Sequence, residues 1–428
     1  MEKYLVNIER RGEWVNVGTI EGHDSADACF RYSRDYLNDP ACAPISISLP
    51  LTQEAYSAQA TKLFFEGLLP EGFTRRAVAG WMRTDEDDYL ALLYGLGREC
   101  LGALRICREE REDVPSYERL SMEQVRALAA EGATKSAELV TKAHISLTGA
   151  SGKVGLYRDE REDAWYLPRG TASSTHIVKQ SHIRLGGIVA NEQLVQLTAK
   201  KIGIEVPQSS IINTGSGADG EVLFATKRYD RVQDPVDTIG GLPRQLRLHQ
   251  EDFAQALGIS AAAKYEKDAS DMYMKKVFDL LRRVSANPIE DLLRLWDRVV
   301  FCYLIGNTDS HIKNISVLYG QDLKGIRLAP AYDLLSTSVY ESSTRDMAFY
   351  IGGVCSLDEI DEAAFERAAR DIGIGARMAM NRFADIRKRL VPALEEAAKE
   401  LAASGFVRAQ EIAQRILLTG GIAKYLPE

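Results

Sequence analysis

An apolar helix that runs without a break into a polar, glycine-led loop is the feature that most limits what this chain can become. From Ile289 to Ile305, apolar side chains recur at Leu292, Leu295, Trp296, Val299, Val300, Tyr303 and Leu304, a stripe wide enough for a buried helix. The next residues, Gly306–Ser316, read Gly-Asn-Thr-Asp-Ser-His-Ile-Lys-Asn-Ile-Ser, and Ala-Tyr-Asp follows at Ala331–Asp333. Ile315–Tyr319 and Ile326–Leu328 flank a Gly320–Gly325 turn region, so a β-hairpin is expected between the loop and Asp333. Four residues separate Asp309 from Asn314, and Asp333 stands nineteen positions past Asn314. Phosphoryl transfer needs one carboxylate to orient and deprotonate a hydroxyl. It also needs an amide oxygen and a carboxylate oxygen to hold Mg²⁺ against the phosphates. All three donors are present in this order.

The Asp-x₄-Asn spacing is that of the protein-kinase catalytic loop. On that pattern Asp309 is the base and Lys313 neutralises charge on the transferring group. Asn314 and Asp333 are then the metal donors. Each has a plainer reading on its own: Asp309 in an Asx-turn, Asp333 as N-cap of a helix over Leu334–Thr337. The constellation favours the chemistry.

Upstream, Ser146-Leu147-Thr148-Gly149-Ala150-Ser151-Gly152-Lys153 is a candidate phosphate loop, whose glycines let backbone N–H groups approach phosphate oxygens. It matches neither standard phosphate-loop fingerprint, and an ordinary hairpin turn is the alternative. Lys179 ends an alternating strand over Thr175–Lys179, where a kinase lysine meets the α- and β-phosphates; the alternative is an edge-strand lysine facing water. Glu192, near the start of a helix expected over Ala190–Ile202 and closed by Gly203, is its candidate ion-pair partner. Lys227, Arg228 and Tyr229 follow a Val222–Thr226 strand and are the candidate hinge against adenine.

The chain has 428 residues, room for two to four domains at about 100–200 residues each. Residues 1–107 read as one unit, with strands at Tyr4–Ile8 and Trp14–Ile20 and helical segments around Lys62–Leu69 and Glu86–Leu96. Residues 108–143 read as a charged linker and helical connector, and 144–236 as a small lobe of strands. Residues 237–428 read as a helical large lobe. A formal net charge of -8 argues against a broad nucleic-acid-binding face on this chain. The N-terminus has no apolar signal core, and no stretch approaches the roughly 18–20 apolar residues that span a bilayer. The six cysteines are scattered with no Cys-x-x-Cys pair, as expected of reduced thiols in a cytoplasmic protein.

The chain resembles the HipA family of bacterial serine/threonine kinases, toxins of type II toxin–antitoxin modules. Phe64–Gly72 and Gly97–Leu104 resemble that family's N-terminal domain. Ser146–Lys153, His176–Lys179, Asn191-Glu192 and Lys227–Arg231 resemble its small lobe; Leu248–Phe253, Gln255–Gly258, Gly306–Ser316 and Tyr332-Asp333 resemble its large lobe. The resemblance implies an α+β, two-lobed protein-kinase-like fold with a β-rich N-terminal accessory domain and a mainly helical C-terminal lobe. It implies ATP- and Mg²⁺-dependent phosphorylation of a protein serine or threonine, with Asp309 as base, Asn314 and Asp333 on the metal, and Lys179 on the phosphates. ATP would lie against Thr148, Gly149, Ala150, Ser151, Gly152, Lys153, Lys227, Arg228, Tyr229, His311, Ile312, Lys313, Asn314, Tyr332 and Asp333. Ser146 becomes the autophosphorylation position, where added charge would expel the glycine-rich loop; its plain alternative is a strand residue at a turn mouth. Ser151 departs from the glutamine common there in the family. The implied partners are a small helix-turn-helix antitoxin of the HipB kind, operator DNA reached mostly through it, and a host translation factor as substrate, an aminoacyl-tRNA synthetase. Two rival functions are a co-repressor with a weak kinase site and a small-molecule or lipid kinase on a related fold. The lack of a basic amphipathic helix lowers the lipid option.

Overall fold

The structure is a computed structural model that describes residues 2–97, 99–108, 114–131, 133–143, 147, 152–181 and 185–427. The chain mixes helix and strand and divides into two compact units. The first comprises residues 1–182, 212–261 and 318–326, and the second 183–211, 262–317 and 327–428.

In the first unit, β1 (Glu2–Arg10) and β2 (Glu13–Gly22) make the expected hairpin. It turns on Arg11 and Gly12 at φ 53° and 88°, the positive angles a two-residue turn needs to follow strand twist. With β3 (Cys29–Tyr32) and β4 (Leu104–Cys107) they form a sheet ordered β3-β2-β1-β4. Val6, Ile8, Ile20, Phe30 and Ile106 bury its inner face with Phe64 and Phe65 of helix Ala58–Phe65 and Leu92 and Leu93 of helix Tyr89–Leu96. A third helix, Gly72–Met82, stands between these two in sequence. Arg75, Arg76 and Gly80 interrupt its apolar pattern, so the sequence does not announce it.

The second sheet contains β5 (Ser116–Arg119), β6 (Lys153–Asp159), β7 (Ala164–Arg169) and β8 (His176–Gln180). They lie in the order β5-β7-β6-β8, followed by β10 (Val222–Lys227). At the edge is β9 (Ser209–Asn213), whose last two residues belong to this unit. Strand β5 corrects the reading of residues 108–143 as a connector. It pairs with β7, and Arg169 donates to Glu118 at 3.0 Å. The following helix Met122–Glu131 buries Val125 and Leu128 in the same continuous core as Leu156, Val178 and Leu223. That core also takes in the N-terminal sheet.

β11 (Arg231–Ile239) and β12 (Leu242–Arg247) form a hairpin across Gly240 and Gly241, at φ 59° and 82°. The expected lobe boundary after residue 236 falls inside this hairpin. The Gly-Gly pair is itself a hairpin signal, and it outweighs the helical composition that follows.

β13 (Gln250–Asp252) carries the fully buried Glu251. Its carboxylate accepts from the Ser46 hydroxyl at 2.5 Å, from the Ile47 N–H at 2.9 Å and from the Tyr319 hydroxyl. Burial nevertheless pushes its pKa up from 4.5 to about 7. A carboxyl raised in the folded state is held in its protonated form, so its stabilising contribution declines as pH climbs from 4.5 towards 7. Over that interval the wild-type protein is expected to lose about 3 kcal/mol that Glu251→Gln does not lose. Urea denaturation of both proteins at pH 5 and pH 8 measures the difference; parallel curves would remove the assignment.

In the second unit, helix Ile188–Lys201 ends as expected at Gly203, φ 85°, with Gly203 N–H bonded to Lys200 O at 3.1 Å and Ile204 N–H to Ala199 O at 3.0 Å. These two bonds satisfy carbonyls that the last turn leaves open. This helix was expected in the small lobe; instead it packs on helices Ala376–Ala403 and Arg408–Thr419. Helix Pro288–Ile305 is exposed at Ile289 and Glu290 and buried from Arg298 to its end. Its Trp296 donates to Ala379 O at 3.0 Å, and Trp296 and Tyr303 both lie against Phe365. The predicted hairpin follows as β14 (Ser316–Leu318) and β15 (Arg327–Leu328), and β16 (Asp346–Ile351) pairs with β17 (Val354–Ser356). Among the described residues no helix is long and apolar enough to cross a membrane.

Candidate active site

Helix Pro288–Ile305 ends at Gly306, whose φ is 70°. A Cβ there would sit 2.1 Å from Ser338 Oγ, so only glycine fits. The Gly306 carbonyl accepts the N–H groups of Thr337 and Ser338 at 3.0 and 2.9 Å, and Thr308 N–H donates to Thr337 Oγ1 at 2.7 Å. The loop is thereby clamped to the segment that follows Asp333.

One buried carboxamide links the two acids. Asn307 Oδ1 accepts the Asp309 N–H at 3.2 Å, while its Nδ2 donates to the Asp333 carbonyl at 3.3 Å. The Asx-turn role considered for Asp309 therefore falls to Asn307. Asn314 Nδ2 donates to the Asp309 carbonyl at 2.9 Å, which commits the nitrogen end of that side chain to the loop. The oxygen end is the one a cation would need.

Arg298, from the preceding helix, donates to the Asn314 carbonyl and, at 3.1 Å, to the Tyr332 carbonyl. Its guanidinium lies 5.4 Å from the centre of the Tyr332 ring. Tyr332 OH donates to Lys313 O at 3.1 Å and shares a 2.5 Å hydrogen bond with Ser316 Oγ. Asp309, Lys313, Asn314, Tyr332 and Asp333 thus form one bonded framework. Asp333 sits at φ 53°, a left-handed conformation that costs a non-glycine residue about 1–2 kcal/mol and is held by its surroundings. No helix follows it, so the N-cap reading fails. His311 is buried, and Ile312 is fully buried as packing.

In the first unit, Lys153 of β6, Lys179 of β8 and Phe224 of β10 stand directly opposite one another across three strands. Residues so placed share a face of the sheet, and like charges directly opposite are destabilising. Lys179 Nζ lies 5.5 Å from the centre of the Phe224 ring.

The candidate hinge divides. Lys227 is exposed and 3.7 Å from Glu160, and Tyr229 OH donates to Gln250. The Arg228 side chain is fully buried, bonded to Asp230 at 2.7 and 2.9 Å, and its N–H is donated to Thr175 O at 2.8 Å. Arg228 is therefore a structural residue, and neither its side chain nor its N–H is offered to a ligand. Gly152 is buried. Ser146, Thr148, Gly149, Ala150 and Ser151 lie outside the described residues. Glu192 is buried on helix Ile188–Lys201 of the second unit. Its neighbour Asn191 donates to Ser336 O at 2.8 Å and accepts Ser336 N–H at 2.9 Å, holding the backbone three residues past Asp333.

Asn307, Arg298 and Asn191 are the residues that the sequence reading did not assign. Arg298 had a signal, a lone cation just before the uninterrupted apolar run Val299–Ile305. Asn191 and Asn307 fall within segments that resemble the family, but nothing in the sequence marks their role, because a carboxamide that ties backbone to backbone looks like any polar residue until the chain is folded.

The fold and this loop define a protein of the protein-kinase-like class. A family model described as the HipA-like C-terminal domain matches residues 145–394, and one described as the HipA N-terminal domain matches residues 13–107. The chain belongs to the HipA family. It is 33% identical to a Sinorhizobium fredii protein named as a kinase, Y4mE, over 89% of each chain. It is 28% identical to the serine/threonine-protein kinase toxin HipA of Shewanella oneidensis, over 89% of this chain and 86% of that one. The solved complex of Shewanella oneidensis MR-1 HipA, HipB and operator DNA contains a chain matching with a TM-score of 0.78. The match has 21% identity and covers 97% of each chain.

Proposed function

We propose that this protein is an ATP- and Mg²⁺-dependent serine/threonine kinase that acts as the toxin of a toxin–antitoxin pair. The observation that carries the reading is the bonded framework of Asp309, Asn314 and Asp333. Asp309 takes the proton of the acceptor hydroxyl, and Lys313 offsets charge on the transferring group. The Asn314 amide oxygen and the Asp333 carboxylate are hard donors of the kind Mg²⁺ takes, and they would hold the ion. Such a site needs no cluster of three acidic or imidazole ligands, and none occurs among the described residues. When bound, the ion neutralises phosphate charge. Lys153 and Lys179 are the proposed phosphate contacts, and Lys227 and Tyr229 the proposed adenine contacts. Ser146 is the proposed autophosphorylation position.

The target class is a host translation factor, an aminoacyl-tRNA synthetase. The partner is a helix-turn-helix antitoxin that carries the protein to its operator. Support comes from membership of the HipA family and from the Shewanella oneidensis relative's name as a toxin kinase. The chain's acidic balance, net charge -8, suits DNA contact made mainly by the antitoxin. Purified protein incubated with γ-labelled ATP, Mg²⁺ and a bacterial lysate is expected to label a discrete protein band. Lys179→Met is expected to lower labelling at least about 10²-fold, as loss of a group that stabilises developing phosphate charge does. Equal labelling by the wild type and Lys179→Met would count against the phosphate role, and no labelled band at all would count against the kinase.

A further inference from the structure

Tyr265 lies outside the loop, in the second unit, on a segment fixed at both sides. Tyr273 OH donates to the Ala263 carbonyl at 2.7 Å. Glu266 N–H bonds the Ala348 carbonyl at 2.9 Å, and its carboxylate accepts the N–H groups of Tyr273 and Tyr350, each at 2.8 Å. Between these anchors the phenol of Tyr265 reaches Asp309 and donates to its Oδ1. The ring stands edge-on to His311, centroids 5.1 Å apart at 85°. Tyr265 is 41% exposed, so core packing does not force the contact.

An acceptor hydroxyl must reach hydrogen-bonding distance of the catalytic carboxylate before it can lose its proton. Tyr265 already makes a bond of that kind. We propose that Tyr265 is a specificity-determining residue of the transfer reaction: its hydroxyl holds the acceptor's place on Asp309 and keeps water from being used as the acceptor. The inference rests on Asp309 being the base. A water at the carboxylate would give up a proton to Asp309 while its oxygen bonds to the γ-phosphorus. The bond from that phosphorus to the β,γ-bridging oxygen would break, leaving ADP and inorganic phosphate. Water gains little by displacing a phenol bonded to a charged group. A docked protein substrate brings contact energy from elsewhere on its surface and can displace it.

The test is phosphate release from ATP and Mg²⁺ by the full-length protein without added acceptor, alongside labelling of lysate proteins, for the wild type, Tyr265→Phe and Asp309→Asn. Tyr265→Phe removes only an oxygen from a half-exposed side chain. It is expected to raise phosphate release by about ten-fold, the factor that one hydrogen bond to an ionised partner can supply, and to raise the ratio of hydrolysis to transfer. A purely structural role would change both activities together and leave that ratio alone. Release by Tyr265→Phe at or below the wild-type rate, with Asp309→Asn silent, overturns the role of Tyr265 and leaves the base in place. Equal release by the wild type and Asp309→Asn overturns the base assignment and this inference with it.

Discussion

Asp309→Asn is expected to abolish phosphate transfer, a loss of at least ~10²-fold, while leaving nucleotide binding largely intact. General-base assistance from a positioned side chain is worth about 10²–10⁴-fold, and an amide cannot take the acceptor's proton. The substitution keeps the shape of the side chain. The backbone bonds that build the loop, from Asp309 N–H to Asn307 and from Asn314 to Asp309 O, do not depend on the lost charge. Asp333→Asn removes charge from the proposed metal donor, so it is expected to reduce Mg²⁺-dependent nucleotide binding as well as transfer. Growth arrest on induced expression should disappear with both. The measurements are autophosphorylation and lysate labelling with labelled ATP, paired with nucleotide titration at fixed Mg²⁺. Mutants that autophosphorylate like the wild type would falsify the assignment of the site.

The second unit's site was the more legible part of the sequence. Helix, glycine cap, polar loop, hairpin and second acid are local in sequence, and each carries its own signal. An apolar stripe marks the helix, a glycine with positive φ ends it, and Gly320 and Gly325 bound the hairpin turn. Bonds made by side chains at long separation were not legible. Asn191 holds Ser336 from 145 positions away, and Tyr265 reaches Asp309 across 44. Spacing rules do not register either pairing. The same limit explains Arg228. Its neighbours in sequence suggest a hinge, but its partners Glu99 and Ser174 lie 129 and 54 positions away, so its burial could not be foreseen. Strand β5 was missed for a different reason. Ser-Tyr-Glu-Arg is short, charged and mostly exposed, and an edge strand of that composition resembles a linker.

Replacing Arg228 is expected to cost about 3–5 kcal/mol, the penalty for leaving buried charge uncompensated. Arg228, Arg231 and Arg247 are buried in the first unit with Glu9, Glu99 and Asp230, three cations against three anions. Asp230 accepts from Gly102 N–H at 2.8 Å and Gln250 at 2.9 Å as well as from Arg228. Glu99 accepts from the Ser174 N–H at 2.8 Å. Burial alone would push both carboxyls up, but the arginines outweigh it and hold Glu99 below its ordinary 4.5 and Asp230 below its ordinary 3.8. The stability from these depressed carboxyls is present above those values and lost as pH falls through their lower folded values. Arg228→Met removes part of what depresses them, so the gap between the wild type and Arg228→Met should be widest near neutral pH and narrow in acid. An exposed pair supplies the contrast. Arg345 meets Asp358 with side chains 40% and 60% exposed, and Arg345→Ala is expected to lose at most about 1 kcal/mol of ion-pair energy. Urea denaturation followed by intrinsic tryptophan fluorescence measures both costs. Similar costs for Arg228→Met and Arg345→Ala would mean that water reaches the network and that its burial contributes little.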